Sequence, residues 1–379
     1  MMPSTSELIS QVGEMMCVGF HGTTPSADIT TLLREFQVGG IILFRRNITG
    51  ARQVGELTQA LQSLRMGELP LLMSVDQEGG PVARLRGICT DFPPMAALGA
   101  SGDVGLAHAY GACLAEELTA LGFNLDYAPV VDVHSRPENP VIGVRAFGQD
   151  PNLVGRMAVA QIHGMMAGGL LPCAKHFPGH GDTTTDSHRE LPVVPHDLAR
   201  LRQVELPPFV AAIKAGVPSI MTAHVTFPAV DTAPATLSAP ILQGLLRQDL
   251  GFEGVIISDD LEMNAVAEDP GVVEAALRGL YAGVDLFLVC HQMERQVAVW
   301  ESLRAEAERS SRARELIQAA ASRVRRMKAL LDPVQDLALD ELPQILRSPL
   351  ARALAADIAR RGSYDPTTLT PLAPELREA

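Results

Sequence analysis

Aromatic side chains are scarce in this sequence, 4% of 379 residues, and Trp300 is the single tryptophan. Modules that grip long polysaccharides or single-stranded nucleic acids use aromatic platforms, so a small substrate in a polar pocket is the better expectation. Positive charge is also short. The 31 Lys and Arg stand against 44 Asp and Glu, a net charge of -13 without any basic block, which opposes binding to nucleic acid or to an anionic membrane. No apolar run is long enough to cross a bilayer. The first residues carry no cation before Arg34 and no signal-peptide core, so a cytoplasmic protein is expected. Cys17, Cys89, Cys113, Cys173 and Cys290 are odd in number, scattered and without CxxC spacing. They suit a reducing compartment and not a disulfide framework.

What is present reads as a globular enzyme, with 47% hydrophobic and 20% charged residues. Short runs rich in Val, Ile, Leu and Met recur at residues 16–20, 39–44, 71–76, 123–128, 170–176, 219–224, 254–260 and 285–290. Continuous apolar runs without alternation are what parallel strands covered on both faces show. The segments between them have helical spacing, as with Val54, Leu57, Leu61 and Leu64 within residues 50–66. Eight such units predict an α/β fold of (β/α)8 TIM-barrel type. Residues 1–331 are expected to form this single catalytic domain, with two helices over 294–331 closing it. Residues 332–379 are expected to be a helical and extended tail with a helix at 348–361, and no second domain.

In a barrel of this type the active site gathers where the strands end, so charged residues should follow the apolar runs. Strand three stops at Asp76, strand four carries Asp126 with Asp132 beyond, and strand five stops at Lys175 and His176. Strand six stops at His224, strand seven at Asp259 and Asp260. Asp126 and Asp132 also suit anchors of a barrel loop, and Asp260 suits the N-cap of a helix starting at Leu261. His224 reads either as a core histidine or as a substrate-binding one. Two cationic-capable groups side by side, Lys175 and His176, point to a ligand.

The segment 173–188 is the densest in titratable groups. It holds Lys175, His176, His180, Asp182, Asp186 and His188 around Pro178, Gly179 and Gly181, which favours a loop carrying a site. These histidines and aspartates, with His196, could ligate a metal, but there is no HExxH and Lys175 would repel the ion, so no metal and no cofactor are expected. Glycosyl transfer fits better, with a carboxylate at Asp259 and a proton donor from the Asp186 and His188 pair. In that arrangement His180 and Asp182 become internal braces of the loop.

K-H-F-P-G-H-G-D-T-T-T-D-S-H at residues 175–188 resembles the signature of glycoside hydrolase family 3, in its bacterial β-N-acetylglucosaminidase branch (NagZ type). It is accompanied in order by D-Q-E-G-G-P-V-A-R-L, G-V-R-A-F-G, M-T-A-H-V and I-I-S-D-D-L-E-M, and the resemblance runs over residues 13–331. It implies that Asp259 is the nucleophile, His188 the general acid/base, and Asp186 its dyad partner. Asp76, Arg84, Arg145, Lys175 and His176 match positions that hydrogen-bond the non-reducing N-acetylglucosamine. Pro81 departs from the Arg that many relatives carry. The implied activity is an exo-acting, retaining β-N-acetylglucosaminidase, a monomer acting on a small-molecule substrate from peptidoglycan. A phosphorylase on the same scaffold, a β-glucosidase, a silent sugar-binding protein and a metal-dependent amidohydrolase are the alternatives.

Overall fold

The computed structural model describes residues 5–184 and 191–363. Eight strands close into one parallel barrel, each paired with its neighbours in sequence order and the last with the first. They are β1 (Met16–Val18), β2 (Gly40–Ile42), β3 (Leu72–Val75), β4 (Leu125–Asp126), β5 (Leu171–Phe177), β6 (Ser219–Thr222), β7 (Val255–Asp260) and β8 (Leu286–Val289). The eight apolar runs coincide with these eight strands. The fold is a (β/α)8 barrel of TIM type.

An outer helix follows each strand in turn: α1 (Ala27–Arg34), α2 (Ala51–Ser63), α3 (Val104–Ala120), α4 (Pro151–Ala167), α5 (Leu206–Lys214), α6 (Pro240–Asp249), α7 (Val272–Ala282) and α8 (Met293–Arg309). Two cores result. Side chains inside the barrel, among them Cys17, Leu72, Tyr127, Cys173, Ile257 and Leu286, form one cluster, and the larger one lies between strands and helices. Val324 and Met327 of a further helix, α9 (Ser311–Lys328), join the inner cluster. Together with the Arg323 pair to Asp285 at 2.9 Å, they close the N-terminal mouth of the barrel. The two helices expected over 294–331 are thus α8 and α9.

One element that bears on the site was not legible in the sequence. Beyond β3 the chain forms an antiparallel hairpin, Gln77–Gly79 against Val82–Ala83, turning at Gly80, whose φ of +58° favours glycine. Past residue 331 the chain runs up the outside of the barrel to α10 (Pro349–Arg361), begun by the Ser348 cap on Ala351 N. The last sixteen residues, 364–379, lie outside the described part.

Candidate active site

A cavity of about 360 Å³ opens at the C-terminal ends of the strands. A larger one, about 610 Å³, lies at the opposite end beside residues 331–338 and carries no comparable cluster of ionisable groups. The chemistry therefore belongs to the smaller cavity.

Its β3 to β5 side is a buried ionic cluster. The hairpin carries Glu78 over the barrel mouth, where Arg145 grips it with two bonds, Nε to Oε2 at 2.8 Å and a terminal nitrogen to Oε1 at 2.7 Å. Lys175 Nζ lies 2.6 Å from Glu78 Oε1 and 2.6 Å from Asp76 Oδ1. Burial alone would raise the Glu78 carboxyl, but Arg145 and Lys175 outweigh it and hold it well below the usual carboxylate range. The same contacts outweigh burial at Lys175, through Asp76 and Glu78, and at Arg145, through Glu78, and raise both cations. The cost of burying Lys175 is thus met by two carboxylates of the protein itself, not by a ligand. Arg84 lines the same wall.

Asp132 organises the next wall. Its Oδ2 lies 2.7 Å from His176 Nδ1, and its Oδ1 accepts from the backbone nitrogens of His176 and His180 at 3.2 and 2.7 Å. The contact holds the His176 ring with its Nδ1–H on the carboxylate. The Asp132 carboxyl, against the effect of burial, is held low by His176. His180 is pushed down to about 4 by burial and by His176, so its ring is neutral, and Nδ1 meets Thr183 Oγ1 at 2.9 Å. Gly181 is required here because a Cβ would sit 1.7 Å from the Val133 carbonyl oxygen. Asp182 ties the segment to its surroundings through Ser135 Oγ at 2.7 Å, Arg136 at 3.0 Å and His196 Nε2 at 3.2 Å. His180 and Asp182 are braces, as their place in the loop implied. Asp186 and His188 lie outside the described residues.

Across the cavity, β7 delivers Asp259 and Asp260. Asp259 Oδ1 accepts from the Asp260 backbone N–H at 2.8 Å. Asp260 does not cap a helix at Leu261, because residues 261–263 form a turn and helix resumes only at Asn264–Val266. Its Oδ1 accepts instead from Glu262 N at 3.0 Å and Cys290 N at 3.3 Å, and its Oδ2 faces His291 Nε2 at 3.1 Å. His224 falls on the core side of its two readings. It is buried outside the cavity lining, with Nδ1 2.8 Å from Thr236 Oγ1 and Nε2 3.0 Å from the Asp260 carbonyl oxygen. It buttresses the end of β7.

Asp76, Arg84, Arg145, Lys175, His176 and Asp259 are all brought to one cavity. Glu78, Glu262 and His291 share it and were missed. Glu78 lies inside the D-Q-E-G-G stretch, and His291 directly follows the apolar run of strand eight, so the rule about strand ends would have found the latter. Among the described residues, no group of three or more His, Cys, Asp or Glu is arranged to hold a metal ion.

Comparison with known proteins gives one result. Beta-hexosaminidase A of Pseudoalteromonas piscicida is 36% identical over 364 residues, which cover 89% of this chain but 60% of that protein. The chain thus spans less than two thirds of that relative. Beta-hexosaminidase of Chromobacterium violaceum is 42% identical over 272 residues, 70% of this chain and 75% of that one. Among solved structures, a family 3 beta-N-acetylglucosaminidase from Paenibacillus superposes with a TM-score of 0.87 at 40% identity, covering 94% of this chain and 68% of its own. NagZ from Neisseria gonorrhoeae, in complex with N-trifluoroacetyl-D-glucosamine, gives 0.76 at 34% identity, with 93% and 98% covered. Residues 7–327 match the glycosyl hydrolase family 3 N-terminal domain, and with the closed barrel and the strand-end constellation just described, the chain belongs to glycosyl hydrolase family 3.

Proposed function

We propose that the protein is an exo-acting, retaining β-N-acetylglucosaminidase that removes terminal β-linked N-acetylglucosamine from peptidoglycan fragments. The observation that carries this reading is the placing of Asp259 in one small cavity with the Asp76, Glu78, Arg145 and Lys175 cluster. A buried cluster of that kind presents charged donors and acceptors in fixed positions to sugar hydroxyls, while Asp259 is left at the strand end to reach the anomeric carbon. The reading also draws on relatives that bear the names beta-hexosaminidase and beta-N-acetylglucosaminidase.

In this mechanism the Asp259 carboxylate attacks the anomeric carbon and the leaving oxygen takes a proton from His188, which Asp186 orients. Neutral His188 then deprotonates water, the ester to Asp259 is hydrolysed and the configuration is retained. The Asp260 N–H donates to Asp259 Oδ1 and helps to hold that carboxylate in place. Sugar-binding roles fall to Asp76, Arg84, Arg145, Lys175 and His176. The reading includes a cytoplasmic monomer, as expected from the sequence alone.

Hydrolysis is favoured over phosphorolysis by the charge of the cavity. Asp76, Glu78, Asp259, Asp260 and Glu262 line it against Arg84, Arg145 and Lys175, a balance that disfavours an incoming phosphate dianion. Asp259→Ala should lower kcat on an aryl N-acetylglucosaminide by about 10³-fold or more; near-normal turnover would sink the assignment. With a muropeptide substrate, free sugar should form at a rate indifferent to phosphate, whereas sugar 1-phosphate would establish the phosphorylase.

A further inference from the structure

The wall of the cavity formed by β7 and β8 crowds negative charge around the residue read as the nucleophile. Asp259, Asp260 and Glu262 lie within four positions and all line the cavity. Neighbouring carboxylates oppose one another's ionisation, and the Glu262 carboxyl is raised by burial and then by Asp260. Three cationic-capable groups face this patch from other elements. Arg295 of α8 lies 3.6 Å from Glu262. Arg46, beyond β2, sits 4.3 Å over the Phe44 ring and is committed to the carbonyl oxygens of Phe20 and Cys290. The third is His291, directly after β8.

His291 is the one that touches Asp260. Its ring is seated against Phe44, centroids 5.5 Å apart, and Nε2 is 3.1 Å from Asp260 Oδ2. The other Asp260 oxygen already accepts from two backbone N–H groups, so the histidine completes the fixing of that carboxylate. The backbone of the same residue carries the N–H bonded to Asp259 Oδ1, and its carbonyl oxygen is held by His224. Whatever fixes Asp260 therefore fixes the donor on Asp259. The His291 side chain is 37% exposed, at the rim of the cavity.

We propose that His291 is a positioning residue for the nucleophile: acting through Asp260, it holds the backbone donor on Asp259 in place and offsets the neighbouring negative charge. The proposal rests on the reading of Asp259 as nucleophile. A protonated His291 cancels the Asp260 charge, and a neutral one keeps only the hydrogen bond. The sugar-holding cluster lies on other strands, so loss of His291 acts on the chemical step and leaves binding alone.

The test is full kinetics of the intact chain on an aryl N-acetylglucosaminide as a function of pH. His291→Ala should lower kcat about 10- to 100-fold with KM within about twofold, and move the acid limb of kcat/KM to higher pH by about half to one unit. His291→Gln, which retains a neutral donor, should recover part of kcat while keeping the displaced limb. In an Asp260→Asn background the His291→Ala effect should largely vanish, because its partner charge is gone. A His291→Ala enzyme with parental kcat and pH profile, an undiminished loss in the Asp260→Asn background, or a rise in KM alone would each overturn the proposal. Should His291→Ala fold poorly by thermal melt, His291→Gln decides by its acid limb. An active Asp259→Ala enzyme would instead overturn the nucleophile reading, whereas an inactive one beside a normal His291→Ala would overturn this proposal alone.

Discussion

Asp126 is a buried carboxyl at the end of β4 with a single anchored oxygen. Oδ1 accepts from Gln77 N at 2.9 Å, and among the described residues Oδ2 has no hydrogen-bond partner. Burial pushes its pKa to about 8, against the opposing pull of the Gln77 bond and Lys175. The folded protein therefore holds a proton that the unfolded chain loses near the ordinary value of 3.8. Between those limits the native state binds more protons, so this group's contribution to stability is complete below the unfolded pKa and is lost as pH rises toward 8. Asp126→Asn keeps an acceptor for Gln77 and removes the titration. It should raise the unfolding free energy at pH 7.5 by about 1–3 kcal/mol, with a smaller change at pH 4.5, as read by urea denaturation. His180 has the opposite sign. With its pKa pushed down to about 4, it favours the fold fully above its ordinary 6.5 and loses that contribution as pH falls between the two.

Among the elements, the start of β8 shows how distant segments are tied together away from the cavity. Asp285 is 1% exposed; its Oδ2 accepts from Arg247 of α6 at 2.5 Å and from Ile256 N of β7 at 2.8 Å, and its Oδ1 accepts from Arg323 of α9 at 2.9 Å. Asp285→Ala would strand two guanidinium groups that it now pairs, and should cost on the order of 3 kcal/mol of stability. Its kcat at 25 °C should stay near parental, since none of these residues lines the active cavity; a thermal melt beside an aryl-glycoside assay checks both halves. No sequence pattern announced this junction, because both arginines lie 38 positions from Asp285. The eight strands were legible because burial on both faces leaves unbroken apolar runs, and the strand-end rule then found Asp76, Lys175, His176 and Asp259. Glu78 was not, because its hairpin is too short and too polar to leave a period. His224 stayed open between two readings because ending a strand does not say which way a side chain turns, and here it turns to Thr236 and the Asp260 carbonyl. The acid/base pair Asp186 and His188 rests on the resemblance alone.

Across the whole molecule, the segment beyond residue 331 binds the two ends of the barrel to each other. Leu337 and Ile345 lie beside Thr58 and Gly122 near the N-terminal ends of the strands, while Leu342, Leu346, Ala351 and Ile358 are buried. Arg347 then reaches the loop that follows Arg84: its backbone N–H donates to Glu117 Oε1 at 2.6 Å, and its guanidinium donates to the Gly87 carbonyl at 2.9 Å. Glu117 also holds Thr90 of that loop, through N at 2.8 Å and Oγ1 at 2.7 Å. The tail is therefore a strap on the loop that follows Arg84, the arginine proposed above to bind sugar. Burying its three large apolar side chains favours the fold by roughly 5–9 kcal/mol before the entropy of ordering the segment is subtracted. A chain ending at residue 331 should thus unfold several degrees lower and bind a hydrophobic dye more strongly than the full chain. Its KM for the aryl sugar should rise several-fold while kcat falls less, because the loosened loop holds Arg84 and not Asp259. Glu117→Gln in the full chain should reproduce a smaller KM rise with the apolar contacts intact, which separates the strap's effect on the loop from its effect on stability; an unchanged KM in both proteins would show that the strap serves stability alone.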